Sequence, residues 1–278
     1  MGLTNAETLS LLMNADTRWG KFVNRGVAKQ KKHLIDIINY CRSQHPVDPV
    51  EEQVDSKLRV YTYEEFKNTE LNIEWVIPNL LHKKGFASIS GPPQVGKSQI
   101  TLRFAERLAK GESFLKWPAV LPIRTLFISM EMPHEELKYI TDQMHIGGDA
   151  DLLRQNFLLM PIGSSIRLNN KKAQDELKKV IDEFQPEGVF FDSLGVAIGE
   201  DLNSEKVIFE TFDFVNSVIR NEYGAFAWFI HHHRKAQIGN KKPNKLDDLY
   251  GNQYIGAQIT SAIGLWPMGD TIEVNCLK

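Results

Sequence analysis

Gly91-Pro92-Pro93-Gln94-Val95-Gly96-Lys97-Ser98 spells G-x-x-x-x-G-K-S, and its reading decides the fold. A run of strand character, Gly85-Phe86-Ala87-Ser88-Ile89-Ser90, leads into it, and apolar Ile100, Phe104 and Leu108 follow at helical spacing. Strand, glycine-bounded loop and helix, in that order, make a cradle for nucleoside-triphosphate phosphates. Gly91 and Gly96 let the backbone turn close to the ligand, so that consecutive N–H groups point inward as an anion nest. The helix N-terminus adds a field that favours negative charge. Lys97 is placed to reach the β- and γ-phosphates, and the Ser98 hydroxyl is a natural Mg²⁺ ligand. The nucleotide-binding stretch is therefore Gly91 to Ser98 with Gln99 beside it, and ATP with Mg²⁺ is the expected cofactor.

Outward from the loop, strand and helix patterns alternate. Strands are expected at Thr125–Met130, Phe157–Pro161, Gly188–Asp192 and Ala225–His231. Helices are expected from Pro133 to about His145, over Lys171–Phe184 and over Ser204–Tyr223. Ser261–Pro267 and Thr271–Cys276 read as a closing antiparallel pair turned at Gly269-Asp270. Near-continuous apolar strands alternating with helices imply an α/β fold, its mostly parallel sheet covered by helices on both faces. In such sheets ligands bind beyond the carboxyl ends of the strands.

Three of those ends carry polar groups. Gly188-Val189-Phe190-Phe191-Asp192 closes on a carboxylate suited to hold Mg²⁺ opposite Ser98. Glu131, after Thr125–Met130, reads either as a general base for the attacking water or as a helix-entry acid ahead of Pro133. His231-His232-His233 offers a histidine to sense the γ-phosphate. Neighbours on a strand point to opposite faces, so these three are not expected to share one metal ion. Beyond them, Arg234, Lys235, Lys241, Lys242 and Lys245 lie in a segment without apolar periodicity. It reads as a mobile basic loop that contacts a nucleic-acid backbone.

Bulk composition narrows the class. The 278 residues are 42% apolar and 24% charged with net charge −2, enough for one α/β domain and an appendage. The molecule is no polycation, so nucleic-acid contact must come from local basic surface. Cys41 and Cys276 lack metal-ligand spacing, and reduced thiols in a cytoplasmic protein are expected. No signal peptide is read at the N-terminus, and no apolar run approaches bilayer-spanning length, so no membrane partner is expected. Residues 1–60 read as a helical N-terminal arm and linker, with helices near Asn5–Asn14 and Gly20–Ser43. They suit packing or oligomerisation better than catalysis, and residues 61–278 form the second domain.

Those residues together resemble the RecA-like P-loop ATPases, nearest the hexameric replicative helicases of the DnaB and plasmid RepA type. The resemblance spans about Tyr61 to Lys278 and includes Trp75-Val76-Ile77-Pro78 ahead of the loop. Ser129-Met130-Glu131-Met132-Pro133 is similar to the DnaB-type stretch whose glutamate activates water, which favours the base reading of Glu131. Asp192-Ser193-Leu194 looks like the family's second nucleotide motif. His231-His232-His233-Arg234-Lys235 is similar to its sensor motif, with His232 matched and His231 beside it. The resemblance implies an ATP-hydrolysing helicase on single-stranded DNA, assembled as a hexameric ring and serving replication of phage, plasmid or other mobile DNA with replication partners. It also implies a basic finger between subunits, for which Lys278 matches the lysine while no arginine follows. A filament-forming recombinase-like or repair ATPase, and a nucleotide-gated loader or regulator with little turnover, are the alternatives.

Overall fold

The computed structural model describes residues 61–278 except 71–72, 120, 147–149, 163–166, 200–201, 203, 234–248 and 250–252, and also Lys32, Ile35 and Asp36. The helices expected at Asn5–Asn14 and Gly20–Ser43 otherwise lie outside the described residues, as does the basic loop. Two compact units, Met1–Leu71 and Asn72–Lys278, divide the chain.

The first unit contributes helix α1 (Tyr63–Asn68). Thr62 and Glu65 close a capping box at its start: the Thr62 hydroxyl accepts from the Glu65 N–H at 3.2 Å, and the Glu65 carboxylate accepts from the Thr62 N–H at 2.7 Å. Two otherwise unsatisfied donors are thereby paired.

The second unit opens with a small antiparallel hairpin, β1 (Trp75–Ile77) and β2 (Leu81–His82). It continues through β3 (Phe86–Gly91), α2 (Lys97–Lys110), β4 (Thr125–Ser129), α3 (His134–Gln143), α4 (Ala150–Asn156) and β5 (Phe157–Pro161). Next come α5 (Lys171–Phe184), β6 (Gly188–Asp192), α6 (Leu194–Ile198), α7 (Glu205–Phe214) and β7 (Phe226–His232). The last elements are α8 (Gln253–Gln258), β8 (Ser261–Met268) and β9 (Thr271–Cys276).

Seven strands form one sheet in the order β5-β4-β6-β7-β3-β8-β9. Every neighbouring pair is parallel except β8 with β9. β3, β4 and β6 are buried along their whole length, as expected of strands covered on both sides. On one face Leu102, Phe104 and Leu108 of α2 pack on Phe127, Phe190 and Trp228. On the other, Leu177 and Ile181 of α5 and Ile208 and Phe212 of α7 join the cluster of Phe86, Phe191 and Phe229. Gly188 opens β6 because a Cβ there would lie 2.1 Å from the Phe226 ring on the adjacent strand. The α/β fold is therefore as expected: a mostly parallel sheet covered by helices on both faces, in which β7 separates the phosphate-loop strand from the Asp192 strand.

One element differs. A single helix was expected over Ser204–Tyr223, but α7 stops at Phe214 and a π-helical segment, Val215–Glu222, continues it. The Ser217 hydroxyl donates to the carbonyl of Asp213, four residues back, at 2.5 Å. A side chain competing for that carbonyl favours the wider turn.

Candidate nucleotide-binding site

β3 delivers the chain to Gly91, and α2 begins at Lys97, so the intervening loop hangs on two rigid elements. Gly96 takes φ +84°, a conformation L side chains resist, and ends the loop as the residue before the helix. Gly91 is needed for space: a Cβ there would approach the Val95 side chain to 2.9 Å and the Leu265 carbonyl to 3.1 Å. The Ile100 N–H already bonds the Gly96 carbonyl at 2.9 Å, so the first helical N–H groups are left facing the loop. Lys97 is buried, and its ammonium donates to the carbonyls of Gly91 at 3.2 Å and Pro92 at 2.7 Å. Burial lowers its pKa, against the opposing pull of Glu131 and Asp192.

Asp192 ends β6 directly opposite Ser129 of β4. It is 1% exposed, and neither carboxylate oxygen has a hydrogen-bond partner of ordinary length among the described residues. Burial raises its pKa to about 7; the nearby Ser98 hydroxyl draws it down, Glu131 pushes it up and Lys97 lowers it. A buried carboxylate with both oxygens unmatched and a hydroxyl in front of it is a donor set that fits Mg²⁺. Ser98 and Asp192 are the residues that would hold it.

Glu131 follows β4 in the short turn before α3. The Met130 N–H donates to the Asp192 carbonyl at 2.7 Å, and the Ser129 hydroxyl donates to the Met132 carbonyl at 3.1 Å. The Glu131 carboxylate is solvent-accessible and accepts a hydrogen bond from the Ser193 hydroxyl at Oε1. Its charge reaches Lys97, Asp192 and His232 alike.

The three histidines separate as strand alternation requires. Phe226, Trp228 and Ile230 of β7 face α2, so His232 does as well; Ala227 and Phe229 face α7, and His231 with them. Burial lowers the His232 pKa, Lys97 lowers it further and Glu131 opposes, so its imidazole is neutral at pH 7. His231 is buried at 1% exposure, on the opposite face of the strand from His232. His233 instead packs against the loop strand: its Nε2 lies 2.8 Å from the Ser90 hydroxyl, and its backbone pairs with Leu249.

Lys97, Ser98, Glu131, Asp192 and His232 thus converge from four strand ends. Gln99 sits exposed on the first turn of α2. Arg234, Lys235, Lys241, Lys242 and Lys245 lie outside the described residues. Lys278 is level with the start of β8, and its ammonium donates to the Ile259 carbonyl of its own chain at 2.7 Å. Ser193 and Ser90 are contacts that sequence reading left unassigned; the Asp-Ser pair closing an apolar strand was the available signal for the first.

Residues 55–237 match the family model described as AAA domain. No curated protein sequence matches the chain. Among solved structures, the flagellar accessory protein FlaH from Methanocaldococcus jannaschii is similar at 12% identity and a TM-score of 0.45, over 70% of this chain and 79% of that one. Among the described residues no helix is long and apolar enough to cross a membrane.

Proposed function

The chain belongs to the AAA domain family, and from that premise we propose that it is a Mg²⁺-dependent ATP hydrolase, working as a RecA-like motor on single-stranded DNA. The convergence of Lys97, Ser98, Glu131, Asp192 and His232 at one edge of the sheet carries the reading. The loop N–H groups and Lys97 bind the phosphates, the ammonium leaving the Gly91 and Pro92 carbonyls to do so. Ser98 and Asp192 would hold the metal, which would offset phosphate charge when bound. Glu131 takes the proton from the attacking water through its carboxylate. The neutral His232 donates a hydrogen bond toward the γ-phosphate and registers its departure.

Support for DNA is positional. The basic residues Arg234 to Lys245 begin one residue after His233, which is bonded to Ser90 at the mouth of the phosphate loop. Nucleotide state and a phosphate-backbone contact are therefore joined through a few residues of β7. The resemblance to DnaB- and RepA-type helicases supports a ring and a role in replicating mobile DNA. Engagement of Lys278 with its own Ile259 favours a second reading, a nucleotide-gated module with little turnover. Steady-state ATPase with and without single-stranded DNA, run alongside native mass determination, separates them. A motor turns over faster with DNA and assembles; flat, slow turnover leaves the gated module standing.

A further inference from the structure

We infer that Ser193 is a positioning residue that holds the Glu131 carboxylate for water activation, an inference that rests on Glu131 being the base. The hydroxyl of Ser193 donates to Glu131 Oε1, and Ser193 is the one hydrogen-bond donor to that carboxylate among the described residues. Three further observations give the contact its meaning.

Ser193 occupies the N-cap position of α6, where serine ordinarily accepts from a backbone N–H of the first turn. Here it makes no such bond, although its carbonyl does accept from the Ala197 N–H at 2.9 Å. The side chain is directed across to the neighbouring strand end. It is also 2% exposed, so water does not compete freely for the hydroxyl.

The Glu131 backbone is already fixed on both sides, by the Met130 N–H on Asp192 and by the Ser129 hydroxyl on Met132. What stays free is rotation of the Glu131 side chain, which is solvent-accessible. A single donor at Oε1 removes that freedom and leaves Oε2 with its lone pairs for the water proton. Because Ser193 follows Asp192 in the chain, the base and the metal-holding carboxylate are set from one short piece of backbone. A shift in one is felt by the other.

Ser193→Ala is expected to lower kcat for ATP by roughly 10- to 100-fold while KM and nucleotide affinity change less than about twofold. Ser193→Thr, which keeps the hydroxyl, restores most of the rate. In a Glu131→Gln background, Ser193→Ala adds no further loss, since the two act through one carboxylate. If Ser193→Ala does not fold, Ser193→Cys, of similar size with a weak donor, is read in the same way. Wild-type kcat in the alanine variant overturns the inference. So does a threonine variant as slow as alanine, or an equal fall in nucleotide affinity, which marks a structural role. Normal turnover by Glu131→Gln alone instead sinks the base reading itself, whatever Ser193 does.

Discussion

The Lys97 ammonium hydrogen-bonds the Pro92 carbonyl at 2.7 Å, so the phosphate loop is closed by its own lysine. A ligand must draw that ammonium off two carbonyls and offer charge in return. Charge-assisted hydrogen bonds contribute roughly 1.5–3 kcal/mol each, which sets the scale of the exchange. Lys97→Ala should therefore lose at least about tenfold in ATP affinity by calorimetry and abolish turnover. Retained affinity would show that the lysine closes the loop without serving the ligand.

Asp192 supplies a pH dependence whose sign is determined. Burial holds its proton up to about 7, whereas in the unfolded chain the carboxyl ionises near its ordinary value of 3.8. Between those values the unfolded chain binds fewer protons, so stability of the ligand-free protein falls as pH rises through this window. The contribution is complete below about pH 4 and gone above about pH 7, on the order of 4 kcal/mol at most. Mg²⁺ competes with the same proton, so metal-dependent nucleotide binding should strengthen with pH and level off above about 7. Urea unfolding of wild type and Asp192→Asn across pH 4–8 checks the first statement. Parallel profiles for the two proteins would remove Asp192 as the source.

Charge reversal at Lys241, Lys242 and Lys245 tests the nucleic-acid contact. Converting all three to Glu should weaken single-stranded DNA binding at low salt and flatten its salt dependence. ATP affinity should stay within about twofold, because counterion release involves the DNA alone. Fluorescence anisotropy at two salt concentrations reads both effects. Unchanged DNA binding would return these residues to an ordinary solvated surface.

Legibility in the sequence followed the reach of each signal. β5, α5 and β6 begin and end where periodicity placed them, because apolar runs and a 3.6-residue stripe are local properties. The β8–β9 hairpin was equally visible, with Gly269 at φ +60° in its turn. α6 was not: five residues are too few to show a period. The π-helical segment keeps a helical apolar stripe, so hydrophobic spacing does not reveal its wider turn. At the site, strand alternation separated the histidines and the resemblance singled out His232, but that α2 covers its face is a tertiary fact with no local signal. The Ser193 contact joins residues 62 positions apart and has no sequence signature of its own.

The hairpin at Gly269-Asp270 turns the final strand against the direction of the rest and returns the backbone toward the amino rim. Lys278 comes level with Ala87, four residues below Gly91 and two strands away from β3. That is roughly 13 Å along the strand before any sideways step is counted. Such a cation is out of reach of its own cradle, so to serve a phosphate loop it would need the loop of another copy. Head-to-tail association is the arrangement that sets one rim over the opposite rim of the next molecule, as a ring when the rotation closes and as a filament when it does not.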